Sequence, residues 1–274
     1  MKDFDLLIEP QKRIRYYWKE LVSYRELFFF LAWRDILVRY KQTVIGLTWS
    51  VIRPLLTMAI FTILFGKLAG FSSGGVPYPV LVFAAMLPWQ FFSNTISESG
   101  NSLVANSHLV SKIYFPRLII PTTSMIVSLI DFLIAACILA VIMLVYQFTP
   151  TIHVVLLPGF LILAMVTSLG IGYLVSALNV KYRDFRHIIP FIVQFGLYVS
   201  PVGFSSSVIP VKWRLLYSLN PMVGVIDGFR WAILGESHGL YWPGFLLSVF
   251  VGLTLFLAGF LFFRKTENEF ADVI

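Results

Sequence analysis

Charged residues are scarce in this chain: 13% of its 274 residues are Asp, Glu, Lys or Arg, against about a quarter in a soluble domain. Cysteine is scarcer still. The single Cys137 lies inside an apolar run, so an intrachain disulfide is impossible and the thiol reads as a small residue facing lipid or a neighbouring helix. No G-x-x-x-x-G-K loop followed by Ser or Thr occurs, which removes the usual cradle for ATP phosphates and assigns any ATP chemistry to a partner. H-E-x-x-H and G-x-S-x-G are absent too, and His108, His153, His187 and His238 are scattered without metal-ligand spacing, which speaks against zinc and triad enzymes. The one paired-acid pattern, Asp3-Phe4-Asp5, is of the kind that holds a metal in some sugar-nucleotide transferases, but in an N-terminal tail it reads first as solvated charge. Strands of alternating polarity, the mark of a membrane barrel, are missing, as is a cleavable signal peptide, because the first two dozen residues are polar and charged.

What the chain has is apolar length. Hydrophobic residues make up 58% and aromatics 16%, with a mean hydropathy of +0.83, and several runs approach the roughly 20 residues that cross about 30 Å of hydrocarbon as a helix. The expected fold is an all-α integral membrane protein with six transmembrane helices, at about 44–66, 76–96, 118–146, 154–178, 188–204 and 241–263. Residues 1–43 interleave aromatic and aliphatic side chains with Arg and Lys, the pattern of an amphipathic helix lying among headgroups. The polar stretch SESGNSLVANSHLVSKIYFPR reads as a short surface helix ended by Pro116. Residues 205–240 read as two short helical pieces broken at LNPM, a re-entrant hairpin on the outer side before the last span, and 264–274 form a tail.

The N-terminal region through Arg53, the 97–117 and 179–187 connections and the tail together hold seventeen of the 21 Lys and Arg, leaving Lys67, Lys212, Arg214 and Arg230 opposite. The positive-inside rule makes the rich side cytoplasmic and places both termini there. Orientation and anionic lipid headgroups account for the net charge of +7 without a nucleic-acid partner. Inside the spans Asp131 is the clearest ionisable group. An intramembrane carboxylate marks either function or a structural hydrogen-bond partner, and one alone makes no proton relay.

Four segments in order, RYKQTVIGLTWSVIRPLL (39–56), SLVANSHLVSKIYFPRLIIP (102–121), NVKYRDFRHI (179–188) and LNPMVGVIDGFRWAILG (219–235), resemble the membrane subunit of ABC-2 type exporters. The likeness is to the branch that moves O-antigen, teichoic acid and capsular polysaccharides, and it covers nearly the whole chain. It implies a homodimer in the bacterial inner membrane, paired with two copies of a separate ATPase that uses ATP and Mg, with no cofactor on this chain. A lipid-linked glycan would move outward through a central channel. By the same likeness Asn106, Lys112, Tyr114 and Arg117, with Lys181, Tyr182, Arg183, Asp184, Phe185 and Arg186, would couple to the ATPase, and Asn220, Pro221, Asp227 and Arg230 would belong to an outer gate.

The residues themselves leave two readings for each group. Lys181, Arg183 and Arg186 suffice as topological anchors, yet Tyr182, Asp184 and Phe185 suit a cleft on a soluble partner. Phe191, Phe195 and Tyr198 share one face of the fifth span at i, i+4 and i+7, and Trp89, Phe91 and Phe92 add a second aromatic group. Flat rings stack on sugar faces, so these are candidate channel-lining residues, with Gln194 and Ser200 beside them, or else helix packing and interface belts. Trp213, Tyr217, Phe229 and Trp231 would anchor the hairpin, while Arg214, Asp227 and Arg230 are placed to meet a glycan. Arg39 and Lys41 are candidates for the anionic headgroup of a lipid carrier. Against an exporter stand a multi-span glycan-modifying transferase and an ion-coupled carrier.

Overall fold

A computed structural model describes residues 14–41, 44–182, 184–235 and 239–270, so Asp3-Phe4-Asp5, Arg183 and His238 lie outside the described residues. Among the described residues all regular structure is helical. Two short helices, α1 (Ile14–Ser23) and α2 (Arg25–Tyr40), precede α3 (Val44–Phe61), which runs on as a π-helical segment, Thr62–Leu68. Then come α4 (Tyr78–Ala105), α5 (Ser107–Lys112), α6 (Ile119–Val145), a 3₁₀ turn Ile152–Leu156 leading into α7 (Leu157–Lys181), and α8 (Phe185–Val199). The chain closes with α9 (Val211–Tyr217), α10 (Pro221–Leu234), α11 (Trp242–Thr266) and a 3₁₀ turn, Glu267–Glu269. Five helical stretches, built on α3, α4, α6, α7 and α11, are long and apolar enough to cross a bilayer. The protein is a multi-pass membrane protein.

The buried centre is α4, which packs against α6, α7, α8, α10 and α3. Hydropathy alone ends this helix near Ile96, whereas the backbone stays helical to Ala105. The reason is packing: Ser99, Gly100, Ser102 and Leu103 are buried, and the polar ones spend their hydrogen bonds on backbone. Ser99 Oγ donates to Pro121 O on α6 at 2.8 Å, and Asn179 Nδ2 on α7 donates to Gly100 O at 2.8 Å. Buried polar groups that are satisfied this way carry no desolvation penalty. The expected surface helix therefore shrinks to α5, with Val110 buried and Ile113 exposed.

The helix expected at 188–204 begins earlier and stops at Val199, since Ser200 is extended and leads into Pro201. Its 15 residues reach about 22 Å, short of a bilayer, and the irregular stretch after it is buried at Ser200 and Val202. The break expected at LNPM is present. Asn220 caps α10, its side chain accepting from Met222 N at 3.0 Å and donating to Ser200 Oγ at 2.9 Å, while Pro221 takes the first helical position, where its missing N–H costs nothing.

Candidate functional site

A cleft of about 780 Å³ opens between the end of α2 and helices α3, α4, α6 and α8. Trp89, Gln90, Asn94, Gln194 and Tyr198 line it, a mixture of flat rings, amides and hydroxyl that satisfies both the C–H faces and the OH groups of a sugar. Trp89 sits under α8 because residue 196 is glycine: a Cβ there would lie 2.7 Å from the indole Cη2. Of the aromatics expected to line a channel, Trp89, Phe91 and Tyr198 share this cleft. Phe92 is buried, 5.4 Å from Trp89 by ring centroids, and Phe191 and Phe195 stack on each other at 6.2 Å on the outward side of α8, 68% and 60% exposed.

The charges of the cleft are unequally placed. Asp131 accepts from Tyr40 Oη at 2.5 Å and pairs with Arg39 at 2.7 Å, and Arg39 also reaches Glu98 at 3.4 Å. Burial first, then the Asp131 carboxylate, push the Tyr40 hydroxyl above its ordinary range, so it stays protonated and donates. Asp131 thus has a structural partner set that joins α2 to α6. Lys41 is exposed just beyond α2.

At the end of the bundle that carries both α1 and the last 3₁₀ turn, two distant chain segments converge on Glu267. Tyr17 Oη donates to its carboxylate at 3.0 and 3.1 Å, Arg117 N donates to Oε1 at 2.7 Å, and the Arg117 guanidinium donates to its carbonyl. The Arg264 guanidinium lies 4.4 Å from the Tyr17 ring centroid, a cation–π distance, and Lys181 pairs with Glu269 at 3.8 Å. Burial, and then Glu267 itself, raise the Tyr17 hydroxyl far above its ordinary range. Of the residues expected to couple to a partner, Arg117 and Lys181 belong to this knot. Asn106 is held by Arg34 Nη2 at 2.8 Å, and Tyr114 O by Tyr24 Oη at 3.4 Å. Lys112, Tyr114, Tyr182, Asp184 and Arg186 remain exposed, with the Phe185 ring 6.4 Å from that of Tyr182. Tyr17, Glu267 and Arg264 carry no signal in the sequence, where nothing connects positions 250 residues apart.

Glu267→Ala removes the acceptor of three of these bonds and strands the Arg117 N–H, at a cost of about 2–3 kcal/mol. The expected result is a lower unfolding temperature in detergent together with protease cleavage near Tyr24, as α1 is released. Glu267→Gln, which keeps an acceptor oxygen, should lie between that variant and the wild type.

At the opposite end, Arg230 is 1% exposed and spends its guanidinium on backbone. It donates to Leu81 O of α4 at 3.2 Å, Phe204 O at 2.6 Å and Val202 O at 2.9 Å. Tyr78 Oη donates to Gly203 O at 2.8 Å and Tyr217 Oη to Val199 O at 2.7 Å, so three side chains pin the irregular stretch after α8. Asp227 stands one turn before Arg230. With Arg214 and Tyr241 they line a second, polar cavity of about 80 Å³, room for a few waters and too small for a sugar ring. Among the described residues no group of His, Cys, Asp and Glu could hold a metal.

Comparison with known proteins matches residues 26–234 to the family described as ABC-2 type transporter. The chain is 27% identical over 259 residues to the O-antigen export system permease protein RfbA of Myxococcus xanthus, covering 93% of this chain and 98% of that one. It is 28% identical over 243 residues to a protein of the same name from Klebsiella pneumoniae, covering 88% and 92%. To the polysialic acid transport protein KpsM of Escherichia coli it is 23% identical over 237 residues, covering 81% and 89%.

Proposed function

Since this chain belongs to the ABC-2 type transporter family, we propose that it is the membrane subunit of an ATP-driven exporter that moves a lipid-linked polysaccharide, O-antigen above all, across the inner membrane. The observation that carries this reading is the cleft, whose rings, amides and hydroxyls suit a polyhydroxyl chain and whose charged groups include no free acid–base pair. That last feature disfavours a transferase, which needs a positioned acid or base. The names of the relatives support O-antigen first and capsular polysaccharide second.

ATP and Mg are used by a separate ATPase, and this chain binds no cofactor of its own. Two copies of each subunit assemble, with the outward aromatic face of α8, Phe191 and Phe195, turned toward the shared channel. Residues 1–43 form the interfacial element, 44–263 the transmembrane domain with α8 and the stretch to 204 as its sixth crossing, and α9–α10 a re-entrant outer hairpin gated at Asn220, Pro221, Asp227 and Arg230. Both termini are cytoplasmic, a reading supported by the Tyr17–Glu267 contact, which joins α1 to the end of α11. The exposed Lys112, Tyr114, Tyr182, Asp184 and Arg186, with Asn106, Arg117, Lys181 and Phe185 around them, form the face that the ATPase grips.

Removing this chain from a producing cell should strand finished lipid-linked polymer inside, and a plasmid copy should restore it to the surface. Surface polymer at normal levels without the chain would refute the proposal. For the grip, Asp184→Arg should leave the complex hydrolysing ATP while export falls at least tenfold. Normal export by that variant removes Asp184 from the coupling face.

A further inference from the structure

We propose that Arg53 and the aliphatic track above it form the binding site for an amphiphile with a phosphate head and a long apolar tail, the lipid end of the exported substrate. This rests on the exporter reading and adds to it a site on α3.

Arg53 lies within α3, three residues into the membrane span Ser50–Leu68, about 5 Å along it. It is exposed and lines the large cleft. A cation at the edge of the hydrocarbon is stabilised by an anionic group at headgroup level. The cleft's other cation, Arg39, has met its own: Asp131 at 2.7 Å and Glu98 at 3.4 Å. Among the described residues no carboxylate lies within ion-pair distance of Arg53. Its backbone is the part that is occupied, the carbonyl accepting from Thr57 Oγ1 at 2.9 Å. A guanidinium presents its donors as a planar fork that matches phosphate oxygens two at a time.

The same side continues with Leu56 and Ile60 on α3 and with Ile63 and Leu64 in the π-helical segment that prolongs it, which are 54%, 53%, 49% and 45% exposed. Leu56 and Ile60 stand at i+3 and i+7 from Arg53, one stripe of α3 reaching about 10 Å along the helix from it, and Ile63 and Leu64 follow. A cation at the foot of a bare aliphatic track is complementary to a charged head with a hydrocarbon tail, and to neither a free anion nor a neutral glycan. Trp89, Gln90 and Asn94 across the cleft then face the first sugars attached to that head.

The test uses the full chain with its ATPase partner in nanodiscs of neutral lipid. Binding is measured for a polyprenyl pyrophosphate, the matching polyprenol, inorganic pyrophosphate and phosphatidylglycerol. Wild type is expected to bind the polyprenyl pyrophosphate at least tenfold more tightly than the other three, with the advantage shrinking as salt rises. Arg53→Gln should lose that tenfold and Arg53→Lys should keep part of it, while Lys212→Gln, an exposed cation on the other side, changes nothing. Unfolding temperatures near wild type establish that the variants are folded, and Arg53→Lys carries the comparison if Arg53→Gln is not.

Unchanged binding by the folded Arg53 variants overturns the site. Inorganic pyrophosphate binding as well as the lipid overturns the track, and phosphatidylglycerol binding as well reduces it to ordinary lipid contact. Cysteines at 56 and 60 cross-linking to a second copy would assign the face to a subunit interface and also overturn the site. Failure of the exporter reading looks different: surface polymer persists when the chain is deleted, whatever Arg53 binds.

Discussion

Arg230→Met is expected to collapse export and to lower the unfolding temperature by about 10 °C, the largest effect of any single substitution outside the helix crossings. The guanidinium holds the carbonyls of Leu81, Val202 and Phe204, which belong to the central helix α4 and to the irregular stretch after α8. Methionine fills much of the volume but leaves three buried acceptors without a donor, a loss of about 3–5 kcal/mol. For a chain of this size each kcal/mol moves the midpoint by about 2–4 °C. The damage should be local in consequence: α9, α10 and the 200–204 stretch lose their common post, while the Glu267 knot at the other end holds. Arg230→Lys retains one point donor and should fall between the two. Differential scanning fluorimetry in detergent reads the midpoint, and a midpoint within a degree or two of wild type would show that the three bonds contribute nothing.

Gly170→Val should abolish assembly outright. Helices α7 and α11 pack along each other, and they meet backbone to backbone: a Cβ at Gly170 would lie 2.6 Å from Phe256 N and 2.8 Å from Leu255 C. Gly259 faces the Gly170 carbonyl, and a Cβ at Gly252 would lie 2.6 Å from Thr167 Oγ1. Within a membrane, helices gain association energy by close packing of small residues, and a backbone atom cannot swing aside as a side chain can. Overpacking a flexible site costs about 1–3 kcal/mol, and here the whole helix must move. The expected outcome is aggregated or degraded protein on a membrane immunoblot and size-exclusion trace, with Gly170→Ala partly assembled. A normal monodisperse peak for the valine variant would contradict the crossing.

Much of this architecture was legible in the sequence because hydropathy and helix breakers are local. The boundaries of α6 and α11 lie within a few residues of the expected 118–146 and 241–263, and the Asn220-Pro221 break reads directly from an N-cap followed by proline. The end of α4 did not read correctly, because Ser99, Gly100 and Ser102 look like a surface in composition and are buried by packing against Pro121 and Asn179. The length of α8 was overestimated because the apolar residues after Val199 continue without a helix to hold them.

The charged sites were legible only in part. Arg39 looked like a free cation, and its neutralisation by Asp131 depends on α2 folding back against α6, a tertiary contact with no local signature. Glu267 was one acid in a tail, and its partners Tyr17 and Arg117 are 250 and 150 residues away. Arg53 was visible as a charge near the start of a span, but the bare track that gives it a purpose appears only when burial separates the exposed from the packed aliphatics of α3. The small residues of the α7–α11 crossing were readable in principle: Gly252 and Gly259 stand seven apart on one face.

On the proposed function, this chain passes a lipid-linked polysaccharide through the membrane using ATP hydrolysed elsewhere. Inside-out vesicles containing the chain, its ATPase partner and lipid-linked O-antigen test it directly, with enclosed polymer measured by its protection from an added glycosidase. Protection should rise only when ATP is supplied, vanish when the chain is omitted, and be indifferent to collapse of the proton gradient. Protection that follows the proton gradient without ATP, or a polymer that is chemically altered while remaining outside, would contradict the account.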